Sequence, residues 1–186
     1  MFDVDTFVSD CLSANAADQP RLAVKELLDR AVSDPAAVAA ALPPDRAQLA
    51  TLHASDDLTI LQVVWGPGQR IRPHDHRTWA TIGIYSGGED NSFYRRADGG
   101  LTESGGRELR PKDVCLLGDD TIHAVHNPTG EFAGAIHIYG GDFFATARSE
   151  WDPASLEQRA WSIERALDLF GQSNNRFLAW QKSACR

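Results

Sequence analysis

Residues 70–88 read RIRPHDHRTWATIGIYSGG. Two histidines, His74 and His76, stand two apart behind Pro73. An alternating apolar run follows and closes at Gly87-Gly88. Alternation that ends in glycines is the mark of a strand and turn rather than a helix. Side chains two apart on a strand point the same way, so His74 and His76 can aim at one point.

The flanking sequence continues in the same texture. LTILQVVW (58–65) is a β-rich run that ends at Gly66-Pro67-Gly68. NSFYRR (91–96) precedes the turn signal Asp98-Gly99-Gly100. ESGGRELRPKDVCLLGDD (103–120) brings another turn and strand, then TIHAVHNP (121–128), Thr129-Gly130 and FAGAIHIYGG (132–141). Many short strands separated by Gly, Pro and Asp turns predict an all-β antiparallel sandwich or barrel. The architecture expected is a jelly-roll barrel over residues 49–145, closing a small cavity away from bulk water.

The ends read differently. Val4, Phe7, Val8, Cys11 and Leu12 recur at helical spacing, with Asp3 or Asp5 as cap. A second helix is predicted over Pro20–Val32, with proline in its first turn, and a short third over Pro35–Leu42. Pro43-Pro44 closes this helical segment, 1–44. Helical spacing returns at Pro153 through Leu156, Trp161, Ile163, Ala166, Leu167 and Phe170, predicting a C-terminal helical segment over 153–186. With 186 residues and one β core, the chain reads as a single domain, 1–186.

Composition narrows the function classes. Eighteen Lys and Arg against 26 Asp and Glu give a net charge of −8, and the basic residues form no patch, which argues against nucleic acid. No long apolar stretch suits a membrane span. MFDVDTFVSDCL carries acids where a signal peptide needs bases, so a cytoplasmic protein is expected. Cys11, Cys115 and Cys185 are far apart and odd in number, without CxxC spacing, which argues against a disulfide scaffold or a cysteine-rich zinc site.

The six histidines are clustered. His123 and His126 form a second group about fifty residues after the first, and His137 opens His137-Ile138-Tyr139. Three neutral imidazoles with open positions suit a catalytic Fe, Zn, Ni or Cu ion. A two-histidine, one-carboxylate site needs an acid close to His76. Asp75 faces the wrong side of a strand, and Glu89 and Asp90 come late, after Gly87-Gly88. Three histidines are preferred, with His123 as the third ligand and His126 as its competitor. Guanidinium grips carboxylate with two prongs, so Arg70, Arg72, Arg77 and Arg148 are candidate clamps for a substrate carboxylate. Trp65 and Trp79 are candidate pocket walls, and His53 reads as a surface or capping histidine.

VVWGPGQRIRPHDH, HAVHNP and AIHIYGGDFF with Arg148 behind it together resemble the thiol dioxygenases of the cupin superfamily, the cysteine and 3-mercaptopropionate dioxygenase group. The likeness covers about residues 58–150. It implies a cupin barrel holding Fe(II) on His74, His76 and His123, with His137 and Tyr139 beside the metal and Arg148 on the substrate carboxylate. The implied reaction adds both atoms of O2 to the sulfur of a small thiol, such as a 3-mercaptopropionate-like thiol, giving a sulfinic acid. Tyr139 is then expected as a hydrogen-bond donor near the reacting atoms, with His137 orienting its hydroxyl or donating directly.

Three departures qualify the resemblance. The family's serine-histidine-tyrosine relay wants a serine at 135, where this chain has Ala135. WATIGIY (79–85) contains no cysteine to crosslink to the tyrosine. TLHASDD (51–57) has His53 but no arginine where animal cysteine dioxygenases grip the cysteine carboxylate, which speaks against cysteine as the best substrate.

Overall fold

The computed structural model describes residues 1–98 and 100–184. Gly99 of the predicted turn and Cys185 lie outside the described residues. Three helices come first: α1 (Val4–Asn15), α2 (Pro20–Val32) and α3 (Pro35–Ala41). The strands β1 (Gln48–Ala54), β2 (Thr59–Trp65), β3 (Arg70–Asp75), β4 (Ala80–Ile84), β5 (Glu89–Ala97), β6 (Gly100–Leu109), β7 (Val114–Leu117), β8 (Ile122–His126) and β9 (Ala133–Tyr139) follow. Two short strands, β10 (Ser149–Trp151) and β11 (Gln158–Ala160), precede the last helix, α4 (Ile163–Ala184).

The strands form two antiparallel sheets, ordered β1-β2-β9-β4-β7 and β11-β10-β3-β8-β5-β6. Their pairing is nested: β5 with β6, β4 with β7, β3 with β8, β2 with β9. A long antiparallel ribbon folded over so that its rungs alternate between two sheets gives this pattern, which is that of a jelly roll. The expected jelly roll is present as two facing sheets; neither sheet closes on itself into a barrel.

Each sheet face finds cover. All seven residues of β2 are buried, because both of its faces are packed. Leu61, Val63 and Trp65, with Ile82 and Ala135 of the same sheet, share a core with Val125 of the second sheet. Ile60, Ile136 and Ile138 turn the other way, onto Phe7, Cys11, Leu28 and Val38 of the N-terminal helices. Asp3 caps α1, its side chain accepting from the Thr6 N–H at 2.8 Å, and Pro20 and Pro35 open the next two helices as predicted.

The C-terminal boundary differs from expectation. Residues 153–162 are not helical, and α4 begins at Ile163. Asp152 accepts from the N–H groups of Ala154 and Ser155 and turns the chain. Leu156 sits at φ 58°, outside helical space. Arg159 then pairs with Glu150 at 2.6 Å, fastening β11 against β10. Helical spacing of Leu156 and Trp161 was therefore coincidental. From Ile163 onward the apolar stripe is real. Phe170 stacks on Trp65 with centroids 5.2 Å apart, and Asn174 bonds both the N–H and the carbonyl of Ala47. Among the described residues, no helix is long and apolar enough to cross a membrane.

Candidate metal centre

The space between the sheets collects the sequence candidates. His74 is the last residue but one of β3, and His123 lies opposite it on β8. His76 follows one residue past the end of β3, so the two-residue spacing brings it to the same side. The Nε2 atoms converge: His74 to His76 at 3.1 Å and His76 to His123 at 3.2 Å. One nitrogen from each ring lies within 4.8 Å of the others, and all three residues are buried. Among the described residues, this is the group that can hold a metal ion.

The outward nitrogens fix which atoms point inward. His74 Nδ1–H donates to the Arg72 carbonyl at 3.0 Å, and His123 Nδ1–H donates to Asn91 Oδ1 at 2.6 Å. Their Nε2 atoms are then bare lone pairs. Burial pulls the His74 pKa down to about 4, and burial followed by the neighbouring histidines holds His76 and His123 well below the ordinary value. The bare Nε2 atoms of His74 and His123 both face His76 Nε2, and His76 Nδ1 is buried without a partner, so the convergence of three nitrogens suits a cation between the rings. The donor set fits a metal ion with open positions.

Parity separates the remaining histidines. His126 is three residues from His123, so it faces the outside of β8, opposite Arg70 and Asp90. It is not part of the group. His53 lies on β1 and meets Ser55 Oγ at 3.2 Å, far from the centre in the fold. Asp75 turns away as expected: it takes the Ser149 N–H at 2.7 Å and the guanidinium groups of Arg77 and Arg96.

Across from the histidines, β9 presents His137 and Tyr139 on one face, with His137 Nδ1 3.1 Å from the Tyr139 hydroxyl. The Tyr139 ring meets His76 edge to face at 5.0 Å, and burial raises its pKa. Arg148 is also buried. Its guanidinium lies between the rings of Phe143 (3.9 Å) and Trp161 (3.6 Å), the cation–π geometry that arginine favours. Nη1 donates to the Phe143 carbonyl, while Nε and Nη2 have no partner. It forms no ion pair among the described residues. Burial lowers its pKa to about 10, so it remains a cation at neutral pH. Its rivals are engaged or outward: Arg72 faces Glu150, Arg77 faces Asp75 and Asp120, and Arg70 is exposed on β3.

Two residues escaped the reading of the sequence. Glu89, set aside as too late in the chain, is fully buried at the start of β5. Its carboxylate accepts from Trp65 Nε1 at 2.7 Å and Asn91 Nδ2 at 3.1 Å, and its Oε2 lies 3.2 Å from His137 Nε2. Burial raises its pKa, but His137, Trp65 and Asn91 together hold it below the usual value. Asn91 then connects it to His123. The signal was available: Glu89 and Asn91 stand two apart, as His74 and His76 do. Trp65 lines the centre, whereas Trp79 packs with the helices, its ring against Gly140. Cys115 lies on β7 with Arg107 Nη1 at 3.8 Å from its sulfur.

The cavity at the three histidines measures about 40 Å³, walled by Trp65, Phe143, Trp161 and Phe170. A second cavity of about 170 Å³ shares Ile71, His74, Trp161 and Ala166 with it and leads outward past Arg72 and Glu150. The fold and site thus define a jelly-roll protein with a three-histidine group between its sheets.

No protein-family model matches the chain. Several solved structures share part of its fold. A protein designated BH2720 from Bacillus halodurans is 18% identical with a TM-score of 0.50, over 56% of this chain and 77% of its own. An RmlC-like cupin family protein with a double-stranded β-helix fold, from Methanocaldococcus jannaschii, is 8% identical with a TM-score of 0.44, over 52% of this chain and 81% of its own. Peruvianin-I, a cysteine peptidase from Thevetia peruviana latex, is 21% identical with a TM-score of 0.39, over 46% of this chain; the chain spans about half of its length, 51%. These likenesses concern the fold alone.

Proposed function

We propose that the protein is an Fe(II)-dependent thiol dioxygenase. It converts a small thiol bearing a carboxylate, together with O2, into the sulfinic acid. The observation that carries this reading is Arg148: a buried cation held against Phe143 and Trp161, two walls of the cavity at the three histidines, with two donors left without a partner. A buried charge without a counter-ion is costly, and a substrate carboxylate would supply one.

His74, His76 and His123 would hold the iron. When bound, ferrous iron supplies the one-electron chemistry that joins O2 to a thiolate sulfur, and it favours the thiolate form of the ligand. The chain's own groups do the rest. Three neutral rings add no negative charge, so an anionic thiolate is welcome. Arg148 would fix the far end of the substrate through a two-pronged bond. Tyr139 would meet the reacting end, and His137 holds the Tyr139 hydroxyl in place. Trp65, Phe143, Trp161 and Phe170 exclude water, and the narrow cavity favours a short thiol over a bulky heterocyclic one.

The test is oxygen uptake by iron-loaded protein across a panel of 3-mercaptopropionate, cysteine and cysteamine, with mass spectrometry of the products. A gain of two oxygen atoms on 3-mercaptopropionate, lost in His74→Ala, is the expected result. No uptake by protein shown to hold ferrous iron would overturn this function and favour a metal-dependent reaction on a non-thiol substrate.

A further inference from the structure

The carboxylate of Glu89 sits at a junction of hydrogen bonds whose directions are set by what each partner can donate. Oε1 accepts from Asn91 Nδ2, and Oε2 accepts from Trp65 Nε1, an atom that can only donate. Because the carboxylate takes the amide NH2 of Asn91, the amide oxygen must face His123, and His123 must carry its proton on Nδ1. Because Oε2 also faces His137 Nε2, that nitrogen carries the other proton. In the neutral ring His137 Nδ1 is then bare and accepts from the Tyr139 hydroxyl.

We propose that Glu89 is a positioning residue that sets the ring tautomers of both His137 and His123, acting on the latter through Asn91. Ala135 offers His137 no hydroxyl, and His137 Nε2 meets Glu89 instead, while Asn91 adds a branch from Glu89 to His123. The inference rests on the three-histidine metal site of the function proposed above, but not on its thiol chemistry. One consequence concerns Tyr139. With its proton turned towards His137, the hydroxyl offers lone pairs to a ligand, reversing the donor role expected from sequence.

The test measures cobalt(II) affinity by competition with a chelator, read from the visible absorption of the bound ion. Glu89→Gln replaces two acceptors by one. Trp65 cannot reverse its N–H, so the new carbonyl turns to Trp65 and the new NH2 meets Asn91. The Asn91 amide must turn over and donate to His123 Nδ1, which moves the ring proton to Nε2, where the metal belongs. Affinity is expected to fall roughly 10–100-fold, as for loss of a partner behind a ligand. Asn91→Asp alone sets two carboxylates against each other and is also expected to weaken binding. The double variant Glu89→Gln/Asn91→Asp restores an acceptor for His123 and a donor–acceptor match at 89, so its affinity should return to near that of the unsubstituted protein.

Unchanged affinity in folded Glu89→Gln would overturn the inference, as would a folded double variant no better than the weaker single one. Asn91→Leu, which keeps Glu89, decides the matter if the charge-altering variants do not fold: the affinity must fall there too, and an unchanged value overturns the inference. Absence of thiol oxidation by metal-loaded protein would count against the proposed function and leave this pattern of affinities untouched.

Discussion

At the scale of single residues, buried charge governs what can be tested. Arg148→Met removes a cation whose Nε and Nη2 lack partners. For a thiol with a carboxylate, loss of such a clamp costs about 2–5 kcal/mol, so KM for 3-mercaptopropionate should rise at least roughly thirtyfold. Cysteamine, which has no carboxylate, should be little affected, and steady-state kinetics on the two thiols compares them. The metal-free variant should be no less stable than its parent, because an uncompensated charge has left the interior.

The histidines make a second prediction at this scale. Their folded pKa values lie below the ordinary 6.5, that of His74 at about 4, chiefly through burial. Between those pH values the unfolded chain binds protons that the folded one refuses. Stability of the metal-free protein should therefore fall as pH drops from about 6.5 towards 4, and a series of urea midpoints measures it. The convergence of His74 and His76 was legible in the sequence because spacing and strand parity suffice for that pair. His126 was separable from His123 by the same parity. The two-residue spacing of Glu89 and Asn91 was visible in the sequence, but the bond from a tryptophan 24 residues away on the facing sheet, which marks Glu89 out, was not.

At the scale of elements, α4 covers the cavity at the three histidines. Phe170 stacks on Trp65, and both line the cavity. Phe170→Ala should cost about 3–5 kcal/mol, the usual loss for a buried aromatic ring, measured as a lowered denaturation midpoint. On the opposite side, α2 lies so close to β4 that a Cβ at Gly83 would stand 2.7 Å from Leu28 Cγ. Gly83→Ala should cost about 1–3 kcal/mol through overpacking, and Leu28→Ala in the same chain should recover part of that loss. The N-terminal helices were readable from apolar spacing, Asp3 and the opening prolines, whereas the start of α4 at Ile163 was not. β10 and β11 were not, since each is three residues long and is held by Asp75, Glu150 and their partners rather than by any pattern of its own.

At the scale of the whole molecule, the two sheets need the N-terminal helices as a third layer. A chain lacking residues 1–44 would bare Ile60, Ile136 and Ile138 to water. It is expected to be recovered largely as aggregate, and the soluble fraction after expression measures this. The class of fold was visible in the rhythm of strands and turns. The nested pairing was not, because it joins segments by their distance along a ribbon rather than by any resemblance between them.

That nesting also dictates an order of events on the ribosome. β2 leaves the exit tunnel about seventy residues before β9, the strand that flanks it, which at ordinary synthesis speeds is a delay on the order of 4–14 s. For that interval TILQVVW is a sticky, unsatisfied strand with β1 beside it and an open edge on its other side. The helices that cover its outer face have already been made. Their place at the start of the chain lets them act as a built-in chaperone, shielding half of β2 while its second neighbour is still being translated.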